Sequence, residues 1–444
     1  MAYQNKFTVT VAAYNTNAQF KANADFAVNT QGQDAAAVIN QAIESIRVHF
    51  SSNPENDYCF GTVMLMPGDY YLDTSIKMYT SLNLIGANRQ ECKLFQRGTA
   101  DSIISNYLVK YALVKDLSIM PSATSGTGSA INGDFVETKF VNLWMKDIKK
   151  YAIVLGLSNT YDNILNFIQE CNIVSLSGNA YPSIYIPRGY DSWILNNNIG
   201  STHINLQLEG GPFRVLGNHL NGNKNVDQPK HNIYSQYGIT STIISENIIE
   251  NSREDSILLQ RANNTSDGFA HNNVSITNNL IRSENLTSDN TYAMIKIQPN
   301  ATTLNFKSLL VSNNIFEHRV KSYPYNRYQS VLNLNQVADI VFSSNIIGLD
   351  YTISDTILKT SVTNLQVFGN SHQNYANFLF DRFELNGKFI SIADTIRLTQ
   401  DRTIADSTDS GEQGEICYDQ NYLYIQSPQG WKRIPIPQEG WKPD

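Results

Sequence analysis

No run of apolar residues in this chain approaches the ~20 that a membrane-spanning helix needs. The first thirty residues, MAYQNKFTVTVAAYNTNAQFKANADFAVNT, have no basic start leading into a continuous apolar stretch. Neither membrane insertion nor a secretory signal is therefore expected. Charge is scarce too: Asp, Glu, Lys and Arg are 16% of the chain against 41% hydrophobic residues. A large core is possible, with a surface made polar chiefly by amides and hydroxyls, a profile that favours β-structure. The charge present sums to −7, which argues against a nucleic acid backbone as partner, since phosphate-tracking proteins carry a basic excess on the binding face. Cys59, Cys92, Cys171 and Cys417 form no CxxC pair, which excludes a zinc ribbon or redox motif and leaves plain core residues. The seven histidines form no HExxH, and no carboxylate run has calcium-loop spacing, so neither metal nor cofactor is expected.

What the chain does have is a repeat. Asn followed by a short apolar pair recurs in ECNIV, NNNIG, GNHL, ENIIE, NNLIR, NNIFE and SNIIG, and FGNS closes the series. Taking Asn172, Asn198, Asn218, Asn247, Asn279, Asn314, Asn345 and Asn370 as equivalent gives steps of 26, 20, 29, 32, 35, 31 and 25 residues. That is the period of a solenoid coil with loops of varying length. Asn tolerates the left-handed conformation of a tight turn and can hydrogen-bond its counterpart in the next coil, forming a ladder. The flanking segments SWIL, FRVL, TIIS, VSIT, LLVS, IVFS and LQVF read as short strands. An antiparallel sandwich would need hairpin signals every 8 to 12 residues, which are absent. The expected fold is all-β, a right-handed parallel β-helix.

One helix is predicted upstream, DAAAVINQAIESIRVHF, with Asp34 as N-cap and Ala35, Val38, Ile39, Ala42, Ile43 and Ile46 on one face. It suits the cap that a solenoid end requires over its open core. GTVMLMPGDYYL at 61–72 and SLNLIGA at 81–87 follow as strands. A D-x-x-x-x-I-x-x-A-I helix, then GTVxLxPGDY, then LxLIGA resembles the start of the pectate lyase-like β-helix superfamily, which includes phage tailspikes, glycan hydrolases, lyases and epimerases. The likeness spans roughly residues 30 to 375; its motifs build the cap and first coil and carry no catalytic group. After the polar stretch TQDRTIADSTDSGEQ, the segment GEICYDQNYLYIQSPQGWKRIPI resembles the terminal β motif of phage tail-fibre proteins.

Three regions follow: an N-terminal extension or attachment segment at 1–30, the β-helix with its capping helix at 31–375, and a C-terminal β region at 376–444. Ile416, Tyr418, Tyr422, Tyr424 and Trp431 are too apolar for a free tail, and burial between chains would explain them. The resemblance implies a homotrimer, other virion tail proteins as neighbours, and a place on the phage tail acting at the host surface. The missing export signal fits a virion part released by lysis.

Successive coils stack like positions ~4.8 Å apart, so outward side chains form columns. Aligning SIYIP, INLQL, NIYSQ, SILLQ, AMIKI and SVLNL gives an outward column Tyr185, Gln207, Tyr234, Leu258, Lys296, Asn333. A second column holds Glu209, Gln236, Gln260, Gln298 and Asn335. Amides and tyrosines at this density suit sugar hydroxyls and ring faces, and the average charge favours a neutral glycan over a strongly acidic one. The expected partner is a bacterial surface polysaccharide. Hydrolysis needs two carboxylates about 5 to 9.5 Å apart; the candidates are Glu209, Glu254, Asp255 and Asp191. A lyase would instead take a proton with Lys296, Arg261, His231 or Tyr234. Glu246 and Glu250 are read as belonging to a turn near the Asn ladder.

Overall fold

The computed structural model describes residues 7–47, 58–105, 107–122, 126–156, 162–175, 178–201, 203–222, 228–261, 272–283, 291–299, 306–318, 329–349, 357–360, 362–372, 416–418, 422–427 and 430–435. They fall in two compact units, Met1–Ala376 and Asn377–Asp444.

The first unit is built from three long sheets of 14, 12 and 12 strands, and every strand pair in them is parallel. The chain visits the sheets in turn. Thus Ser192–Leu195 lies in the first, Asn198–Ser201 in the second and Ile204–Gly210 in the third; each pairs with its equivalent one coil later. This is the right-handed parallel β-helix that the repeat predicts. Alternation puts aliphatic residues inward, where identical positions stack: Ile184, Leu206, Ile233, Ile257, Ile295 and Leu332 follow one another in register. All six are buried, and each such side chain contributes roughly 1.5–3 kcal/mol on leaving water.

At the turn from first to second sheet stands the Asn ladder. Asn197, Asn218, Asn247, Asn279, Asn314 and Asn345 each donate both the backbone N–H and an Nδ2 hydrogen to the Oδ1 of the next, ending at Asn370, at 2.9–3.1 Å. The other Nδ2 hydrogen goes to a main-chain carbonyl, as from Asn247 to Val215. Every donor and both acceptor lone pairs of a buried amide are thereby used.

Two sequence expectations shift here. The ladder position in the earlier coils is Asn197 rather than Asn198, and Cys171 rather than Asn172; Cys171 donates its N–H to Asn197 Oδ1. Asn172 and Asn198 pair with each other on the exposed side, because a one-residue offset in a strand turns the side chain to the opposite face. The left-handed residue is also not the ladder Asn but the one before it: Asn196, Gly217, Glu246, Asn278, Asn313, Ser344 and Gly369 have φ between 54° and 66°. Glu246 is accordingly a turn residue. Glu250 ends the strand Ile248–Glu250, its carboxylate held by His219 Nε2 at 2.7 Å and Arg282 Nε at 2.5 Å.

The helix spans Ala35–Ile46 and buries Ala35, Ala36, Val38, Ile39, Ala42 and Ile43 against the first strands. Asp34 caps it, taking the Ala36 N–H, and its carboxylate also accepts the Asp73 N–H and the Thr74 hydroxyl. Residues 1–30 are set apart in the sequence as an extension; here Thr8–Ala12 and Phe26–Ala27 pair into the edge of the first sheet. Cys59, Cys92 and Cys171 are buried in the core.

In the second unit Ile416–Tyr418, Tyr422–Ser427 and Gly430–Pro435 form an antiparallel three-stranded sheet. Tyr424 and Trp431 bury together with Tyr422 packed against them. These rings find cover within one chain, where the sequence suggested cover between chains. The side chains of Ile416 and Tyr418 lie outside the described residues.

Candidate functional site

The outer face of the third sheet carries the column that the strand alignment anticipates. Tyr185 lies opposite Gln207, Gln207 opposite Tyr234, Tyr234 opposite Leu258, Leu258 opposite Lys296 and Lys296 opposite Asn333. Five of the six are half-buried; Leu258 is fully covered. One pleat on, Gln260 pairs with Gln298 and accepts the Tyr234 hydroxyl at 3.2 Å, and Gln236 is half-buried. Tyr151 stacks on Tyr185 at 5.7 Å and meets Tyr181 edge-on at 5.0 Å. Three tyrosines thus cluster at the Tyr185 end of the column. Burial, with the Glu209 charge nearby, raises the Tyr185 hydroxyl and pushes that of Tyr234 up to about 12. Both stay protonated and able to donate near neutral pH.

The four candidate acids stand in different places. Glu209 is 1% exposed rather than facing solvent. Its carboxylate accepts the Gln236 and Tyr237 N–H groups, the Ser235 hydroxyl and the Gln207 amide at 2.7–3.3 Å. Burial pushes it up to about 7 against the pull of those four donors. It braces the turn after Ser235, and both oxygens are occupied. Asp191 is exposed, in a left-handed turn (φ 47°) between two strands, away from the column.

Asp255 is 3% exposed. Its Oδ1 accepts the Ala293 N–H at 2.7 Å, and its Oδ2 faces Lys296 Nζ at 3.9 Å. Burial pushes its carboxyl up to about 6, with Lys296 pulling the other way. Glu254, half-buried, lies 3.6 Å from Lys230 Nζ.

Glu209 and Asp255 are not a pair. The register sets Ile204 level with His231 and Leu206 level with Ile257 through Ile233, so Asp255 sits at the level of Ile204, five residues before Glu209. At ~3.3 Å per residue that is roughly 16 Å along the strand, and two coils add about 10 Å across it. Carboxylates that flank a glycosidic bond stand at most about 9.5 Å apart.

Asp255, Glu254 and Lys296 instead gather at one margin of the face with His231 and Lys230. His231 is buried and stacks on Tyr234 at 5.5 Å. Its Nδ1 must donate to the Asp255 carbonyl at 2.8 Å, since a carbonyl only accepts. Burial, with Lys230, His203 and Lys296 adding to it, holds the ring uncharged down to about pH 3, so the 3.9 Å approach of His231 Nε2 to Glu254 is not an ion pair. Nε2 is left as an acceptor. Tyr151, Tyr181, His203 and Lys230 escape the strand alignment because they precede the aligned segments, where no periodic pattern marks them. The side chain of Arg261 lies outside the described residues. Among the described residues no group of three His, Cys, Asp or Glu side chains is placed to hold a metal ion, and no helix is long and apolar enough to cross a membrane.

No family model matches the chain, and no curated protein matches its sequence. Solved structures do match in fold. DFA-IIIase from Arthrobacter chlorophenolicus A6 superposes with a TM-score of 0.57 at 10% identity, over 81% of this chain and 94% of that one. The Dettilon tailspike protein gives 0.54 at 11%, over 82% and 68%. A tailspike mutant of E. coli bacteriophage HK620 in complex with pentasaccharide gives 0.53 at 13%, over 76% and 62%. The chain therefore has the parallel β-helix fold that these structures share.

Proposed function

We propose that this protein is a bacteriophage tailspike or receptor-binding protein that binds a bacterial surface polysaccharide along the outer face of the third sheet and cleaves it by hydrolysis. The observation that carries the reading is Asp255: a buried carboxyl pushed up to about 6, at the margin of a continuous column of tyrosines and amides. A general acid works best with a pKa near the working pH. In this reading Asp255 protonates the leaving oxygen, Glu254 activates the water, and Lys296 fixes Asp255. Tyr185 and Tyr234 pack on sugar rings, while Gln207, Gln236, Gln260 and Asn333 bond hydroxyls. The likeness to tailspike folds, one of them solved with a pentasaccharide, supports a place on the virion tail, acting at the host surface as a homotrimer beside other tail proteins.

The test is incubation with host capsule or wall glycan, followed by gel filtration. Shortened chains support cleavage, and a new unsaturated-uronate absorbance would redirect the chemistry to a lyase with Lys296 or Tyr234 taking the proton. A second reading, a non-enzymatic adhesin using the same face, is favoured by one observation: Glu209 is fully hydrogen-bonded and remote from Asp255, so the acid pair rests on Glu254 alone. Retention of intact glycan without shortening would establish it.

A further inference from the structure

Four hydrogen-bond donors converge on Glu209, a buried carboxylate at the penultimate position of the strand Ile204–Gly210. Its Oε1 accepts the Gln207 side-chain amide at 3.3 Å and the Gln236 N–H at 2.9 Å. Its Oε2 accepts the Ser235 hydroxyl at 2.9 Å and the Tyr237 N–H at 2.7 Å. Only an ionised carboxyl offers two acceptor oxygens and no hydrogen, so an amide in its place would satisfy two donors and oppose the other two. Keeping a carboxylate under cover is costly, and the arrangement must secure something in return.

The bend after Ser235 has ties of its own. The Gly238 N–H donates to Ser235 Oγ at 3.0 Å, the Gly210 N–H to the Gly238 carbonyl at 2.8 Å and the Thr240 N–H to the Gly210 carbonyl at 2.8 Å. Gly238 makes the turn with φ at 118°. What Glu209 adds is a hold on three residues of the glycan face. Gln207 stands in the outward column, in register between Tyr185 and Tyr234. Gln236 and Tyr237 are both half-buried on the bend. After burial, the groups that raise the Tyr234 hydroxyl are Glu209 and Tyr237, and the same two are among those that act on Tyr185. Tyr237 therefore stands near both column tyrosines, which the register sets two coils, roughly 10 Å, apart.

We propose that Tyr237 is a further glycan-binding residue, joining Tyr185 and Tyr234 against the bound sugar, and that Glu209 is its positioning residue. The inference rests on the glycan-binding reading and deepens it: part of the specificity sits on a bend that interrupts the regular column. A bend ordered before the ligand arrives spares the complex the entropy of ordering it. In this role Glu209 touches no sugar; it acts through Tyr237, Gln236 and Gln207.

The experiment titrates the full-length protein with an oligosaccharide fragment of the host capsule or wall glycan, using the wild type, Tyr237→Ala, Glu209→Gln and the double variant, with melting temperatures measured alongside. Tyr237→Ala should weaken binding about tenfold and leave the melting temperature unchanged. Glu209→Gln, which keeps the volume of the side chain, should weaken binding by a similar factor. The double variant should lose clearly less than the product of the two single losses, because one residue acts through the other; a brace that served the fold alone would not couple to Tyr237 in binding. Should Glu209→Gln fail to fold, Ser235→Ala, which removes one of the four donors, takes its place in the cycle with the same expectation. Wild-type binding with Tyr237→Ala equally tight overturns the inference while the glycan reading stands. Single losses that multiply, or a Glu209→Gln protein that melts lower and binds as the wild type does, strike Glu209 as a positioning residue. A wild type that binds no fragment overturns the glycan reading and this inference together.

Discussion

Asn218 Oδ1 accepts two hydrogen bonds from Asn197, one from the backbone N–H at 3.0 Å and one from Nδ2 at 2.9 Å. The same double contact repeats up the stack, so removing one member strips acceptors from its neighbour. Asn247→Ala leaves both the N–H and an Nδ2 hydrogen of buried Asn218 without their partner, at about 1–3 kcal/mol for each stranded group. Asn198→Ala touches only exposed amide contacts and should cost under about 0.5 kcal/mol. Urea denaturation of the two variants should separate them clearly; similar midpoints would show that the ladder is decoration.

That contrast also marks how far the sequence can be read. Register along the third sheet was legible because Ile and Leu alternate with polar residues through SIYIP, INLQL and NIYSQ, and a period of two leaves one alignment. The first ladder members were not, because NNNIG offers three consecutive asparagines and only the turn geometry selects Asn197. In the coil before, Cys171 fills the position and no amide signals it. The acids were the least legible. Glu209 stands near the end of one strand and Asp255 just before another, yet one is wrapped by the turn after Ser235 and the other by the Ala293 N–H and Lys296. The first is settled by a turn and the second by where the next coil's strand begins, and no period encodes either.

Asp34 does three jobs with one carboxylate: it caps the helix through Ala36 and holds Asp73 and Thr74 of the first coil. Asp34→Ala should therefore exceed the ~1 kcal/mol of an ordinary cap and reach about 2–3 kcal/mol. Because the helix covers the open end of the core, hydrogen exchange should quicken first in Ala35–Ile46 and the adjoining strands. Loss confined to the helix would mean that Asp73 and Thr74 are held by something else.

Tyr234 lies mid-column, stacked on His231 and donating to Gln260. Tyr234→Phe keeps the ring and removes the hydroxyl; Tyr234→Ala removes both. If the face binds sugar, the Ala variant should lose roughly 1–3 kcal/mol of glycan affinity and the Phe variant about 1 kcal/mol. Isothermal titration with an oligosaccharide fragment measures both. Unchanged affinity in the Ala variant would move the binding surface off the third sheet.

Asp255 joins stability and activity through one proton. Its folded carboxyl is pushed up to about 6 from an unfolded value near 3.9. The folded state therefore binds the extra proton between those pH values, and the slope of stability with pH is negative there. Its contribution is intact below about pH 4 and lost as pH rises through 6. The loss is on the order of 3 kcal/mol, taken as an upper figure for a nearly buried group. Asp255→Asn keeps an oxygen for the Ala293 N–H and cannot ionise, so its melting temperature should fall less than that of the wild type between pH 4 and 6. The same variant cannot donate a proton to a leaving oxygen. Glycan shortening should drop at least a hundredfold while retention on the intact polymer persists. A variant that melts in parallel with the wild type and still shortens the chains at the wild-type rate would remove Asp255 from both roles.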